Sequence, residues 1–279
     1  MSLKKILKKL YFLSKKKEVI PILQPISENK ILEGKTAFIV GGSGGIGSAI
    51  AKECIRAGAR CIIAGTNKAK LEGMDLFSDA EFKDSAVPLV VNLNDTASFK
   101  EIFLNENTIH KWGVDILVNA AGVHTENVNF MGMTPKEYDR VMNINLKGVF
   151  FMCQAFADYL IANHRKGHIL LVSSSRGSEP AWTPYGISKW GLNGFTKGLA
   201  KELLPHGIIV NAIAPGSTAT ELLGKKAGDS IFSTDNGLGR MALPEEVATY
   251  AKTLVSEAGN MLVGETVHVS GGRGIFDVR

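Results

Sequence analysis

The chain has 279 residues, 45% hydrophobic and 21% charged, a composition ordinary for a globular protein that excludes global disorder. Its formal net charge of +5 is a poor guide to partners. Lys4, Lys5, Lys8, Lys9, Lys15, Lys16 and Lys17 crowd into the first 17 residues with no acid among them, which leaves the remainder slightly acidic and nucleic-acid binding unindicated.

Residues 1–17 read as a basic amphipathic helix, with Leu3, Ile6, Leu7, Leu10 and Leu13 at helical spacing and lysines between them. The lysines interrupt any signal-peptide core, and no apolar run reaches the length of a membrane span. Three uses stay open: an extension docked on the protein's own surface, a helix making peripheral membrane contact, or a partner-binding helix. A linker containing Pro21 and Pro25 follows, so residues 1–33 are read as an extension and residues 34–279 as one folded domain.

From there strands and helices alternate. Apolar runs at 36–40, 61–64, 87–91, 116–118, 169–172, 208–213 and 266–269 predict strands, those between 87 and 213 buried ones. Helical patterns fall at 46–57, 71–76, 96–105, 135–162, 185–204 and 244–256. Short, continuously apolar strands between helices predict an α/β fold, a single-domain doubly wound parallel sheet of about seven strands with helices on both faces. Cys54, Cys61 and Cys153 are far apart in sequence and form no CxxC pair, which argues for buried thiols in a reducing compartment. No His/Cys/Asp cluster at ligand spacing appears, so no metal is expected.

The first strand runs into Gly41-Gly42-Ser43-Gly44-Gly45-Ile46-Gly47 and then a helix. Glycines there permit a tight turn and close approach of a pyrophosphate, and the helix N-terminus offers unpaired N–H groups. The second strand ends in Gly65-Thr66-Asn67-Lys68 with no acid. A carboxylate at that place favours NAD through the ribose 2′-hydroxyl. Its absence, with Thr66 and Asn67 as donors and Lys68 as a charge, favours NADP(H) over NAD(H).

Tyr185 and Lys189, four residues apart, share one helix face. A tyrosine titrates near pH 10, so acid/base work near pH 7 asks for a shift of about 3 units, roughly 4 kcal/mol. A neighbouring ammonium favours the tyrosinate. Upstream, the strand at 169–172 opens into Ser173-Ser174-Ser175, placing hydroxyls at a strand's carboxyl end, where ligands bind in such sheets.

These motifs, with Asn119-Ala120-Ala121-Gly122, Asn145-Leu146-Lys147-Gly148, Asn211-Ala212-Ile213-Ala214-Pro215-Gly216 and Gly271-Gly272, occur in an order that resembles the short-chain dehydrogenase/reductase family over about residues 34–272, in the branch that includes 3-oxoacyl-carrier-protein reductases. The resemblance implies a Rossmann-like, cytoplasmic NAD(P)(H)-dependent oxidoreductase, a homodimer or homotetramer, that moves a hydride between nicotinamide and a small-molecule carbonyl or secondary alcohol. It implies Tyr185 as acid/base, Lys189 on the nicotinamide ribose, Ser174 on the carbonyl, and Asn145 holding a water that links Lys189 to solvent. Gly41, Gly45 and Gly47 would line the pyrophosphate within the turn that also holds Ser43, Gly44 and Ile46. Asn92 and Leu93 would contact adenine. Asn119, Ala120 and Gly122 would lie by the adenine-side ribose, and Pro215, Gly216 and Thr220 would embrace the nicotinamide end.

The chain departs from the pattern at Val40, where a threonine is common, and at Gly44, where NADP-preferring members often carry a basic residue. The interval from Ser174 to Tyr185 is short, which leaves Ser174 and Ser175 both as candidates to face the substrate, Ser174 preferred. His124 reads as a pocket or surface histidine, Trp182 as a substrate wall and Trp190 as packing. The glycine-rich stretch 217–240 reads as a mobile lid. The full set Asn145, Ser174, Tyr185 and Lys189 argues against a catalytically silent cofactor sensor. The roughly 60 residues after Gly216 are too few for the substrate domain of a nucleotide-sugar epimerase or dehydratase.

Overall fold

The computed structural model describes residues 30–105, 107–126, 129–226 and 228–276. The basic stretch 1–17 and the prolines after it lie outside the described residues.

Seven strands form one all-parallel sheet: β1 (Thr36–Val40), β2 (Arg60–Gly65), β3 (Ala86–Val90), β4 (Ile116–Asn119), β5 (Gly167–Val172), β6 (Ile208–Pro215) and β7 (Thr266–Val269). Their order is β3-β2-β1-β4-β5-β6-β7. The chain therefore reverses its direction of winding between β1 and β4, and a crevice opens there at the strands' carboxyl ends.

Side chains alternate across β1. Ala37 and Ile39 join the core under α1 (Gly45–Arg56) and α8 (Pro244–Leu254). Phe38 and Val40 join the core under α3 (Phe99–Asn105), α6 (Val149–Ala162) and α7 (Pro184–Leu203). Period-2 strands covered on both sides thus need apolar residues at every position, which is the pattern read from the sequence. Phe38, Phe103 and Phe156 fill the second core, with successive ring centroids 5.6 Å apart.

Four local readings need correction. The run at 87–91 is not a buried strand. It belongs to β3, an edge strand carrying Pro88, whose missing N–H an edge tolerates, and Val90 is 52% exposed. The helix read over 135–162 is two helices, α5 (Pro135–Met142) and α6, joined by a π turn over Asn143–Gly148. The helix at 71–76 is one turn of α2 (Lys68–Glu72) followed by a 3₁₀ turn, because Gly73 closes it. The segment 96–105 begins as a 3₁₀ turn before α3, and a further helix, α4 (Asn107–Trp112), follows it.

Ile31 and Leu32, read as linker, pack on the first core; Leu32 is fully buried, and its N–H donates to the Ala57 carbonyl at 2.9 Å. All three cysteines are free and buried. Cys54 and Cys61, on consecutive elements of the chain, meet where α1 packs on β2, and burial pushes the Cys61 thiol well up. Among the described residues no helix is long and apolar enough to cross a membrane, and no group of three His, Cys, Asp or Glu side chains could hold a metal.

Candidate active site

β1 ends in a turn that only glycine can make. Gly41 sits at φ +78°, and a Cβ there would lie 2.4 Å from the Ala121 nitrogen. A Cβ on Gly47 would lie 2.3 Å from the Gly41 carbonyl oxygen. Gly44 caps α1 with no side-chain hydrogen bond, which leaves the helix's first N–H groups to an anion. Ser43 packs against Gly65 at the end of β2, and Ile46 lines the cleft. Gly45 abuts Thr220: its Cβ would fall 2.7 Å from the threonine methyl. The turn thus meets the segment after β6 across the crevice. Gly41→Ala adds left-handed strain to a backbone clash and should cost more than about 2 kcal/mol. A melting temperature and cofactor affinity matching the parent protein's would refute that.

At the adenosine end, Thr66, Asn67 and Lys68 are exposed. The Asn67 Oδ1 accepts from the Lys70 N–H at 2.9 Å and caps α2, so the oxygen is committed to the fold. Lys68 lies 3.7 Å from Glu72 along the helix. Lys70, not singled out in the sequence, bridges to Glu221 beyond Thr220 at 2.9 Å. Asn92 is exposed and accepts from the Asn94 N–H at 3.0 Å. Leu93 points its side chain into the second core, which leaves its backbone as the part available to an adenine.

Asn119, at the carboxyl end of β4, is 2% exposed, and neither its amide nitrogen nor its oxygen has a protein partner. Buried amides without partners are costly and rare. With the glycine turn beside it, this orphaned carboxamide fits the hydroxyls of a dinucleotide's ribose. Ala120 and Gly122 follow it into the cleft wall, which Pro215 and Gly216 also line.

The cleft holds about 530 Å³. Its floor is the start of α7, where Thr183 caps the helix by accepting from Gly186 N–H at 3.1 Å, and Pro184 occupies the first turn. Tyr185 and Lys189 project one turn apart. The Lys189 ammonium is buried, donates to the Val172 carbonyl at 2.8 Å and lies 5.7 Å from the centre of the Tyr185 ring. Burial pushes its pKa down to about 8. Burial pushes the Tyr185 phenol up, while a hydrogen bond with Ser174 and the charges of Arg176 and Arg273 pull it down.

The Ser174 hydroxyl also accepts from Arg176 N–H at 3.2 Å, capping the tight turn that shortens this loop. Of the two candidate hydroxyls, Ser174 is the one that acts on the Tyr185 phenol, while Ser175 is buried against Gly274; Ser173 before them donates to Asn193 at 2.6 Å. Asn145, inside the π turn, is fully buried. Its oxygen accepts from Val123 N–H at 2.8 Å, and its nitrogen donates to the Val123 carbonyl at 2.9 Å and to Ser188 Oγ at 3.2 Å. Its carboxamide therefore anchors the segment after Gly122.

The substrate side brings in residues that no motif marks. Trp182 lines the cleft and meets Phe130 edge-on at 6.1 Å. Trp190 is half exposed and donates its indole N–H to the Glu179 carbonyl at 2.6 Å, tying down the loop before Tyr185. Arg273 folds back from the chain's end to pair with Glu179 at 2.7 Å and Asp235 at 3.0 Å. The stretch read as a lid is thus tied to the loop carrying Ser174 through one guanidinium.

Residues 35–230 match the family model described as short chain dehydrogenase. The 3-oxoacyl-[acyl-carrier-protein] reductase FabG of Thermotoga maritima is 38% identical over 248 residues, 86% of this chain and 98% of that one. An acetoacetyl-CoA reductase of Acinetobacter sp. is 34% identical over 249 residues, again 86% and 98%. A crystal structure of 3-ketoacyl-(acyl-carrier-protein) reductase from Brucella melitensis complexed with NADH matches with a TM-score of 0.76 at 32% identity, covering 88% of this chain and 100% of that one.

Proposed function

The chain belongs to the short-chain dehydrogenase family and is an NAD(P)-dependent oxidoreductase acting on carbonyl and hydroxyl groups; on that premise we propose that it is an NADPH-dependent reductase of 3-oxoacyl thioesters with Tyr185 as proton donor. The observation that carries this reading is the meeting of Ser174, Tyr185 and Lys189 in the cleft that Ile46 of the glycine turn and Thr220 after β6 also line. The thioester comes from the relatives' substrates, 3-oxoacyl-[acyl-carrier-protein] and acetoacetyl-CoA. An apolar rim of Phe130, Trp182, Leu222 and Leu223 suits an acyl chain.

Gly41, Gly45, Gly47 and the first turn of α1 would hold the pyrophosphate, Asn119 a ribose, and Pro215, Gly216 and Thr220 the nicotinamide end. The bound reduced nicotinamide supplies a hydride to the carbonyl carbon. Ser174 donates a hydrogen bond to the carbonyl oxygen, and Tyr185 passes its proton to that oxygen as charge develops there. Lys189 holds a cation near the tyrosinate left behind. Burial raises the phenol's pKa, so Tyr185 is protonated through neutral pH, the state a donor needs. The Asn145 side chain is committed to Val123 and Ser188, and so holds the segment after Gly122 beside the Lys189 ammonium.

The cofactor preference rests on the missing carboxylate after β2. Fluorescence titration should give tighter binding of NADPH than NADH. Thr66→Asp, which sets a carboxylate against the 2′-phosphate, should weaken NADPH about tenfold or more and spare NADH. Tighter NADH binding by the parent protein would reverse the assignment.

A further inference from the structure

Nothing in the sequence motifs gives His124 a chemical task, yet its imidazole lies flat on the phenol ring of Tyr185. The ring centroids are 4.1 Å apart and the planes 19° from parallel. The segment that carries it is fastened at every residue from Val123 to Glu126. Val123 exchanges two hydrogen bonds with the Asn145 side chain, at 2.8 and 2.9 Å. The His124 carbonyl accepts from Arg140 Nη2 at 2.7 Å. The Thr125 hydroxyl accepts from the Tyr185 N–H at 3.1 Å, and Glu126 N–H donates to Glu137 at 2.7 Å. Helix α5, the π turn and α7 thus fix this short segment jointly, and the imidazole's place follows from theirs.

We propose that His124 is a positioning residue for the proton donor: its ring backs one face of the Tyr185 phenol and holds the hydroxyl toward Ser174 and the substrate oxygen. The proposal rests on Tyr185 being the acid/base. The phenol oxygen lies on the Cβ–Cγ axis, so only a swing about Cα–Cβ displaces it, and a ring stacked against one face of the phenol opposes that swing. A proton donor displaced by about 1 Å can lose on the order of 100-fold in rate, so a clamp of this kind acts on turnover rather than on binding.

The groups around the imidazole favour its neutral form. Lys189 faces it from α7 and Arg176 from the turn after β5, both cationic, and Tyr185 beneath it is uncharged at neutral pH. Arg273, from the tail, adds positive charge at the phenol. Arg140 and Glu137 of α5, with Glu126, are engaged with one another on the backbone side. Burial first, then Lys189 and Arg176, hold the His124 pKa below its ordinary 6.5. As pH falls through that lowered value the ring gains a proton, is repelled by Lys189 and Arg176, and the clamp weakens. Turnover should therefore decline on the acid side with His124's titration.

The test compares the full chain with His124→Ala and His124→Phe, reading kcat, KM and cofactor affinity across pH with acetoacetyl-CoA and NADPH. His124→Ala should lose about tenfold in kcat with KM and cofactor affinity near the parent values. His124→Phe restores a flat ring without a titrating nitrogen, so it should recover most of kcat at neutral pH and shift the acid limb to lower pH. Parent-like kcat in His124→Ala, or a His124→Phe as slow as His124→Ala, would overturn the clamp. Because those results presuppose an inactive Tyr185→Phe, full activity in that variant would instead overturn the acid/base reading beneath it.

Discussion

Replacing Tyr185 by phenylalanine should lower carbonyl turnover by about 1,000-fold or more, at the strong end of general acid catalysis, and leave the reduced cofactor bound as tightly as before. The substitution removes one oxygen. The ring keeps its stack on His124, and Lys189 keeps its bond to the Val172 carbonyl, so neither the fold nor the cofactor crevice loses a contact it depends on. What disappears is the phenol hydroxyl beside Ser174, protonated at neutral pH and so able to give its proton to the substrate oxygen. Ser174 can still polarise a carbonyl but is a far weaker acid. Steady-state rates and a cofactor titration on the same preparation measure both halves, and a variant keeping most of its rate would exclude Tyr185 as the acid.

The second large effect is that of Lys189→Met, in turnover and in the pH dependence of stability. Removing the cation near the tyrosinate should lower kcat/KM on the order of 100-fold. The stability effect follows from burial. The folded-state pKa is about 8, against 10.5 for an exposed lysine, so the folded state sheds this proton more readily than the unfolded one. Below pH 8 both states are charged and the full cost of burying the ammonium is present. As pH rises from 8 to 10.5 that cost fades, and stability from this group increases by on the order of 3 kcal/mol.

Lys189→Met also leaves the Val172 carbonyl without its donor, a loss of about 1–3 kcal/mol. That loss is independent of pH, so it lowers the whole stability curve without changing its slope. Melts of the cofactor-free protein at neutral and alkaline pH separate the two. The variant should lack the alkaline gain, and identical slopes would mean that the ammonium is not buried as described.

How far the sequence could be read follows from how local each feature is. The seven strands are legible because each is a short apolar run, and a sheet covered on both faces requires such runs. β3 is written in the same residues but has one neighbour, and the edge shows only in Pro88. The π turn at Asn143–Gly148 hides inside a helical pattern because one widened turn hardly disturbs a 3.6-residue period, yet it lies where Asn145 enters the core.

The cleft is legible where its parts follow strand ends: the glycine turn after β1, Asn119 at the end of β4, Ser174 after β5. Tyr185 and Lys189 are legible because one helical turn joins them. Arg273, Glu179 and Asp235 are not, since their meeting depends on how the tail and the 217–240 stretch fold back. Asn67 shows the opposite failure. Its residue type suits a phosphate, but the same chemistry suits a helix cap, and the fold uses its oxygen for the cap.

The most direct test of the central claim is the oxidation of NADPH by the purified full chain on addition of acetoacetyl-CoA, followed by loss of reduced-nicotinamide absorbance. The expected result is thioester-dependent oxidation that is absent in Tyr185→Phe. NADPH that binds tightly but is oxidised neither by the thioester nor by a panel of simple ketones would contradict it.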